Sequence, residues 1–434
     1  MLDIRLLREN PNIVKKNLEK RKDKEKLSWI QKVKKIDEEY LKIKKKVEEL
    51  RHKRNLVSEE INKLQKQGKD IKGKIKEIKE IPEKIKELEE QQKTMKQEID
   101  YHMMRLPNIL HESVPCGKDD EDNVAVRKWG TIKKSKFELK VHGDIIEMLE
   151  IGDFTKATEV SGAGFYYMFG KLAQLNLALM QFAVDNLLKK GFILSIPPLM
   201  LRRKPYEGVT DLADFEKVMY KIENEDLYLI ATSEHSIGAY LMDETLQEEK
   251  LPLKVVGLSP CFRKEIGSHG VDTRGLFRTH QFWKVEQFVF CNPKDSWKHH
   301  EEIQKNSEEL YRKLKIPYRV VNVCTGDIGV VAAKKYDIEA WFPRQQAYKE
   351  VGSNSNCTDY QARRLNIKYI NNDGDKAYIH TLNNTAIATS RTLVAILENY
   401  QQKDGSIKIP TALQKYTGFK IIEKPKKHTL LFHN

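Results

Sequence analysis

Cysteine is sparse and scattered in this chain of 434 residues: Cys116, Cys261, Cys291, Cys324 and Cys357 stand far apart, with no Cys-x-x-Cys pair. That spacing argues against a disulfide framework and against a simple zinc ribbon or finger. Free thiols fit a reducing compartment. No segment approaches the ~20 consecutive apolar residues of a membrane span. The opening Met1-Leu2-Asp3-Ile4-Arg5 lacks the apolar core of a signal peptide. The expectation is a soluble, cytoplasmic protein with no membrane partner. The chain also lacks the Gly-x-x-x-x-Gly-Lys-[Ser/Thr] loop, and Gly-x-Gly-x-x-Gly after a strand. Any nucleotide is therefore expected to be held by side chains on a sheet.

Positive charge is present in excess and unevenly spread. The formal net charge is +14, and residues 1–100 hold 30 Lys+Arg against 21 Asp+Glu, or +9, leaving +5 for the other 334. A basic N-terminal quarter suits a polyanionic partner, and it also suits a merely solvated helical surface. Within it, Val33, Ile36, Tyr40, Ile43, Val47, Leu50, Val57, Ile61 and Leu64 recur at alternating steps of three and four, with Arg54 interrupting. The pattern breaks at Gln67-Gly68-Lys69-Asp70. A second seam follows: Ile71, Ile75, Ile78, Ile81, Ile85, Leu88, Met95 and Ile99. Such spacing predicts two helices folding back on each other as an antiparallel coiled coil. The slip at Ile78–Ile81 beside Pro82 predicts a loosened or kinked coil there. A dimerising coil and a binder of backbone phosphates through Lys42–Lys46 and Arg51–Arg54 both fit this pattern. Pro107, Pro115 and the acidic run after Lys118 mark the exit, dividing the chain into residues 1–110 and 111–434.

The second part alternates helices and strands, an α+β pattern. Leu172, Leu175, Leu179, Phe182, Ala183 and Leu187 form a helical stripe. Lys254–Arg263 reads as a strand, with Arg263 and Glu265 sharing a face. Gln281–Phe290 alternates strictly: Phe282, Lys284, Glu286, Phe288 and Phe290 face one way, and Trp283, Val285, Gln287 and Val289 the other. Lys284 and Glu286 fit either a cross-strand salt bridge or a polar cavity on the open sheet face, because buried charges need partners. Arg263 and Glu265 favour the cavity. The stretch Ile266–His280 reads as a long functional loop. Later, Asn383-Asn384-Thr385 ends a strand, and Arg391 sits in the first turn of a helix, where a cation opposes the dipole. An Arg and a Glu on one strand, Phe, Lys and Glu on the next, and a remote Arg opening a helix suit a nucleoside triphosphate.

These residues carry a resemblance. Phe262-Arg263-Lys264-Glu265 through Glu286 resembles class II motif 2, and Asn383-Asn384-Thr385 through Arg391, with Glu398-Asn399-Tyr400-Gln401, resembles motif 3. Lys190-Gly191-Phe192 through Pro198 is similar to motif 1, and Leu2–Arg5 with the coiled hairpin resembles a tRNA-binding arm. Over essentially its whole length the chain resembles seryl-tRNA synthetases, a class II aminoacyl-tRNA synthetase family. The resemblance implies an arm plus an antiparallel sheet flanked by helices, in a homodimer. It implies ATP-dependent activation of L-serine and transfer to the 3′ end of serine tRNA, gripped by its long variable arm. Selenocysteine tRNA is a further substrate it leaves open.

By the same resemblance, Arg263 bridges the serine carboxylate and the α-phosphate. Glu265 meets the adenine amino group, and Phe282 stacks on the ring opposite Arg391, which also reaches the γ-phosphate. Lys264, Val351 and Gly352 join the ATP site, and Glu350 and Ser353 hold Mg²⁺ with phosphate. Thr232, Ser233, Glu234, Arg263, Glu286, Asn383 and Thr385 line the serine pocket, with no protein-bound zinc. The chain departs from the commoner pattern at Trp283, at Asn384-Thr385 and at Ser390, none of which removes a reacting group.

Overall fold

A computed structural model describes residues 1–211, 217–265 and 275–425, apart from the side chain of residue 77. Residues 266–274 of the expected loop, and the tail from residue 426, lie outside the described residues. The chain divides into two compact units, Met1–Ile109 and Leu110–Asn434.

In the first unit, aspartates start the helices. Asp3 accepts from the Arg5 N–H at 2.8 Å, and Asp23 from the Lys26 N–H at 3.1 Å. These bonds satisfy donors that a helix start leaves unpaired. The two long helices run Lys24–Lys66 and Lys72–Met103, about 65 Å and 48 Å at 1.5 Å per residue. Gly68 turns the chain between them at φ +68°, a backbone state that glycine adopts without steric cost.

Salt bridges cross the seam in reversed order, Lys32–Glu98, Arg51–Glu89 and Glu60–Lys74, so the pair is antiparallel. These exposed bridges contribute at most about 1 kcal/mol each. Apolar burial does more. Val47 packs with Ile81, Ile85 and Leu88 in one cluster, the side chains that the heptad spacing singles out. The second helix runs continuously through Pro82. The first long helix also carries a buried charge: Asp37, 5% exposed at its side chain, receives both Nε and Nη2 of Arg8, from the short helix Ile4–Glu9, at 2.6 and 2.8 Å.

In the second unit, eight strands make one sheet: β1 (Val124–Trp129), β2 (Ile193–Ser195), β3 (Leu253–Phe262), β4 (Gln281–Cys291), β5 (Tyr318–Asn322), β6 (Lys334–Phe342), β7 (Ala347–Asn356) and β8 (His380–Ala388). The order is β1-β5-β6-β7-β8-β4-β3-β2. Every pairing is antiparallel except β2 with β3. Strand parity sorts the two faces. Val285 and Val289 of β4 join Leu382 and Ile387 of β8 in a core shared with helices Gly170–Leu188, Ser296–Leu314 and Thr389–Asn399. Trp283 packs against that same core. On the opposite face, Phe288 and Phe290 are covered by Val209 and Ile237, from helices Arg203–Val209 and Ser233–Ala239. Phe282, Lys284 and Glu286 lie farther along the same face of β4, where the two helices leave the sheet open to a cavity.

Gly257 of β3 sits directly across from Glu286. A Cβ there would come within 2.5 Å of both Ser233 Oγ and Ile237 Cδ1. The missing side chain lets the Ser233–Ala239 helix settle against the sheet.

Candidate active site

A cavity of about 380 Å³ opens on this uncovered part of the sheet. Its wall includes Arg263 and Glu265, just beyond β3; Phe282, Lys284 and Glu286 of β4; and Glu350, Val351, Gly352 and Ser353 of β7. Asn383 and Thr385 of β8, Arg391 of the Thr389–Asn399 helix, and Thr232 and Glu234 complete the expected set. Two expected residues do not line it. The Lys264 ammonium lies 5.7 Å from the Tyr220 ring. The Ser233 hydroxyl is buried, without a hydrogen-bond partner among the described residues.

One corner is built around two carboxylates. Lys284 Nζ is 2.9 Å from Glu286 Oε2, and the two side chains are 7% and 1% exposed. Thr385, paired with Glu286 across β4 and β8, donates its hydroxyl to the same oxygen at 3.1 Å. Glu234 opens its helix under a cap in which Thr232 Oγ1 accepts the Glu234 N–H. Its carboxylate accepts Asn383 Nδ2 at 2.9 Å and Gln361 Nε2 at 3.1 Å. Gln361 also donates to Val209 O and accepts from the Thr381 hydroxyl, which fixes the amide. Burial, and then the neighbouring charge of Glu286, push the Glu234 carboxyl up to about 7. The corner thus offers carboxyl acceptors and one shared hydroxyl in a largely buried setting, groups that suit a small polar ligand with its own donors.

The other corner carries the arginines. Arg263 lies 5.2 Å from the Phe282 ring centroid, and Arg391 lies 5.0 Å from that of Phe277. In this geometry Phe277, which the sequence did not single out, is the ring beside Arg391. Arg391 Nη1 donates to the Glu350 carbonyl at 2.8 Å and to its carboxylate at 3.1 Å, compensating for its position in a helix's first turn. Ser353 donates to the other Glu350 oxygen at 3.1 Å. Loss of solvent alone would raise the Glu350 carboxyl. Arg391, Lys335 and the two donated hydrogen bonds outweigh that and hold it down to about 2.

Lys335, Arg278 and Ser355 also line the cavity, and Asp337 lies beside it on β6, opposite Ser353. None of these was expected. Lys334-Lys335-Tyr336-Asp337 reads as an ordinary alternating strand, and only the pairing of β6 with β7 brings it to Glu350 and Ser353. Gln361 had no local signal at all.

Residues 1–110 match the seryl-tRNA synthetase N-terminal domain, and residues 217–400 match the tRNA synthetase class II core domain (G, H, P, S and T). A serine–tRNA ligase of Methanospirillum hungatei is 55% identical over 418 residues, spanning 96% of this chain and 98% of its own. The chain belongs to the seryl-tRNA synthetase family. A crystal structure of seryl-tRNA synthetase from Pyrococcus horikoshii complexed with ATP superposes with a TM-score of 0.93 at 50% identity, covering 98% of this chain and 100% of that one. A cytoplasmic serine–tRNA ligase from Naegleria fowleri in complex with AMP gives 0.87 at 36% identity, covering 98% and 99%. The fold is therefore that of a class II aminoacyl-tRNA synthetase, as the motifs implied.

The raised Glu234 carboxyl has a stability consequence. The folded chain keeps this proton up to about pH 7, whereas the ordinary value is 4.5. Stability therefore falls as pH rises through that window. The side chain opens to the cavity, so about 1–2 kcal/mol is at stake rather than the full shift. Glu234→Gln keeps an oxygen for both amide donors. Denaturant unfolding at pH 8 should find it more stable than the parent, with the gap closing at pH 5. An equal gap at both values would show that the carboxyl is not titrating there.

Proposed function

We propose that this chain is a serine–tRNA ligase that activates L-serine with ATP and transfers it to the 3′ end of serine tRNA. The observation that carries the reading is the convergence of Arg263, Phe282, Glu286, Glu350, Thr385 and Arg391 on one cavity. These residues come from segments scattered over more than a hundred positions. The serine carboxylate attacks the α-phosphorus in line, a new P–O bond forms, and pyrophosphate leaves with its bridging oxygen. The ribose 3′ hydroxyl of the tRNA then attacks the adenylate carbonyl and releases AMP. Such transfers depend on positioning and charge neutralisation. Arg263 between carboxylate and α-phosphate, and Arg391 at the tail, suit both tasks. Phe282 offers an apolar face for adenine beside Glu265.

Mg²⁺ accompanies the nucleotide in this reading. Glu350 and Ser353 provide hard oxygen donors, and the nearby Asp337 Oδ1 is buried with no hydrogen-bond partner among the described residues, a donor set that suits the ion. Bound there, it would offset phosphate charge. Choosing serine over alanine rests on Glu286 and Thr385, because an absent hydroxyl would leave their buried polar atoms unsatisfied.

The antiparallel arm is read as the grip on the long variable arm of serine tRNA, through phosphate contacts by its Lys and Arg rows. Ile193 and Leu194 of the short edge strand β2, Ile196 just after it, and Leu177 and Leu188 of the preceding helix are exposed apolar side chains. This supports a second copy of the chain as the occupant. Among the described residues no helix is long and apolar enough to cross a membrane, and we read the cytoplasm as the site of action.

Three outcomes test these statements. Glu286→Ala should abolish serine-dependent exchange of pyrophosphate into ATP, and near-normal exchange in a folded variant would remove Glu286 from the pocket. The rings of Trp29 and Tyr101 lie 6.5 Å apart, so residues 30–100 can be replaced by a short linker. That deletion should keep exchange and lose tRNA charging; intact charging would refute the arm's role. Sedimentation should find the parent dimeric and Ile196→Asp shifted toward monomer, and a monomeric parent would exclude the dimer.

A further inference from the structure

Lys335 and Arg278 are the cavity cations to which no role has been given; Arg278 is exposed, and Lys335 is the half-buried one. Its side chain is 19% exposed and lines the cavity. Its partner among the described residues is Asp337 Oδ2, at 3.5 Å on the same face of β6. An ammonium has three protons to donate, so this contact leaves donor capacity facing the cavity. Asp337 is itself 4% exposed, which ties the anchor to the sheet. The pairings Lys335↔Ser355 and Asp337↔Ser353 bring both side chains beside β7. There Glu350 is already bonded to Arg391. Glu350 feels the charge of both Arg391 and Lys335, and all three line the cavity.

Two other cavity cations are differently engaged. Lys284 is held within 2.9 Å of Glu286, in the corner assigned to serine. Arg263 lies over Phe282, beside the proposed adenine face. A triphosphate tail brings more negative charge than Arg391 alone can meet. We propose that Lys335, anchored by Asp337, binds the terminal phosphates of the nucleotide and of the departing pyrophosphate, as the second cation of a clamp completed by Arg391.

This rests on the nucleotide reading of the cavity and adds to it the residue that distinguishes ATP from AMP. The experiment is calorimetric titration of the full chain with AMP, with Mg²⁺–ATP and with Mg²⁺–pyrophosphate. Lys335→Met keeps the aliphatic stem and removes the charge. It should weaken ATP and pyrophosphate about tenfold while AMP stays within about twofold, and Lys335→Arg should restore most of the loss. Should the methionine variant fold poorly, Lys335→Gln carries the same expectation. Equal weakening of AMP and ATP would mean a structural role, and unchanged ATP binding would mean no contact; either overturns the proposal while leaving the nucleotide site standing. A parent chain that binds neither nucleotide overturns the site reading and this proposal together.

Discussion

The buried pair of Lys284 and Glu286 constrains everything around it. Two charges on one strand, nearly withdrawn from water, are costly unless each finds its partners. They find each other and the Thr385 hydroxyl, and that bond requires β8 to lie beside β4 in one register only. A slip by one residue would turn Trp283 and Val285 toward the cavity and drive both charges into the apolar core. The pair therefore fixes which face of the sheet is chemical and which is structural. The covering phenylalanines farther along β4 limit how much of that face stays open.

From this strand the two corners differ in kind. Around Glu234 the protein spends amides: Asn383 and Gln361 converge on one carboxylate oxygen, and Gln361 is itself held by Val209 and Thr381. The result is a rigid acceptor with a raised proton affinity. Around Glu350 the protein spends cations, and the carboxylate stays ionised. Electrostatics thus splits a single cavity into a region suited to an amino acid and a region suited to phosphate. Arg391 belongs to the second because its unfavourable place at a helix start is offset by the Glu350 carbonyl and carboxylate.

Much of this was legible because it is local. Alternation along Gln281–Cys291 assigns Phe282, Lys284 and Glu286 to one side without reference to any other strand. The steps of three and four in the arm identify the side chains that bury, and Gly68 marks the turn. The motif resemblance adds the remote partners Glu350, Thr385 and Arg391. What escaped depends on pairings that no short window encodes. Lys335 and Asp337 matter only because β6 runs antiparallel to β7, with a bulge after Ile338. Gln361 matters only because its helix brings it against Glu234. Lys264 shares the opposite parity from Arg263 and Glu265, and parity alone could have excluded it from the wall. At Pro82 the flanking turns carry the helix past one missing donor.

Gly257 ties the apolar architecture to the chemistry through a void. The helix that begins at Ser233 rests where a β-carbon would otherwise be, and that helix carries Glu234 into the wall of the cavity that Glu286 also lines. The separation of the two carboxylates is thus tied to the width of an absent methyl group. On the proposed reading, room for the small amino acid is set by how closely a backbone can be approached, and a bulkier residue at that point would push the helix away from the sheet rather than merely loosen the core.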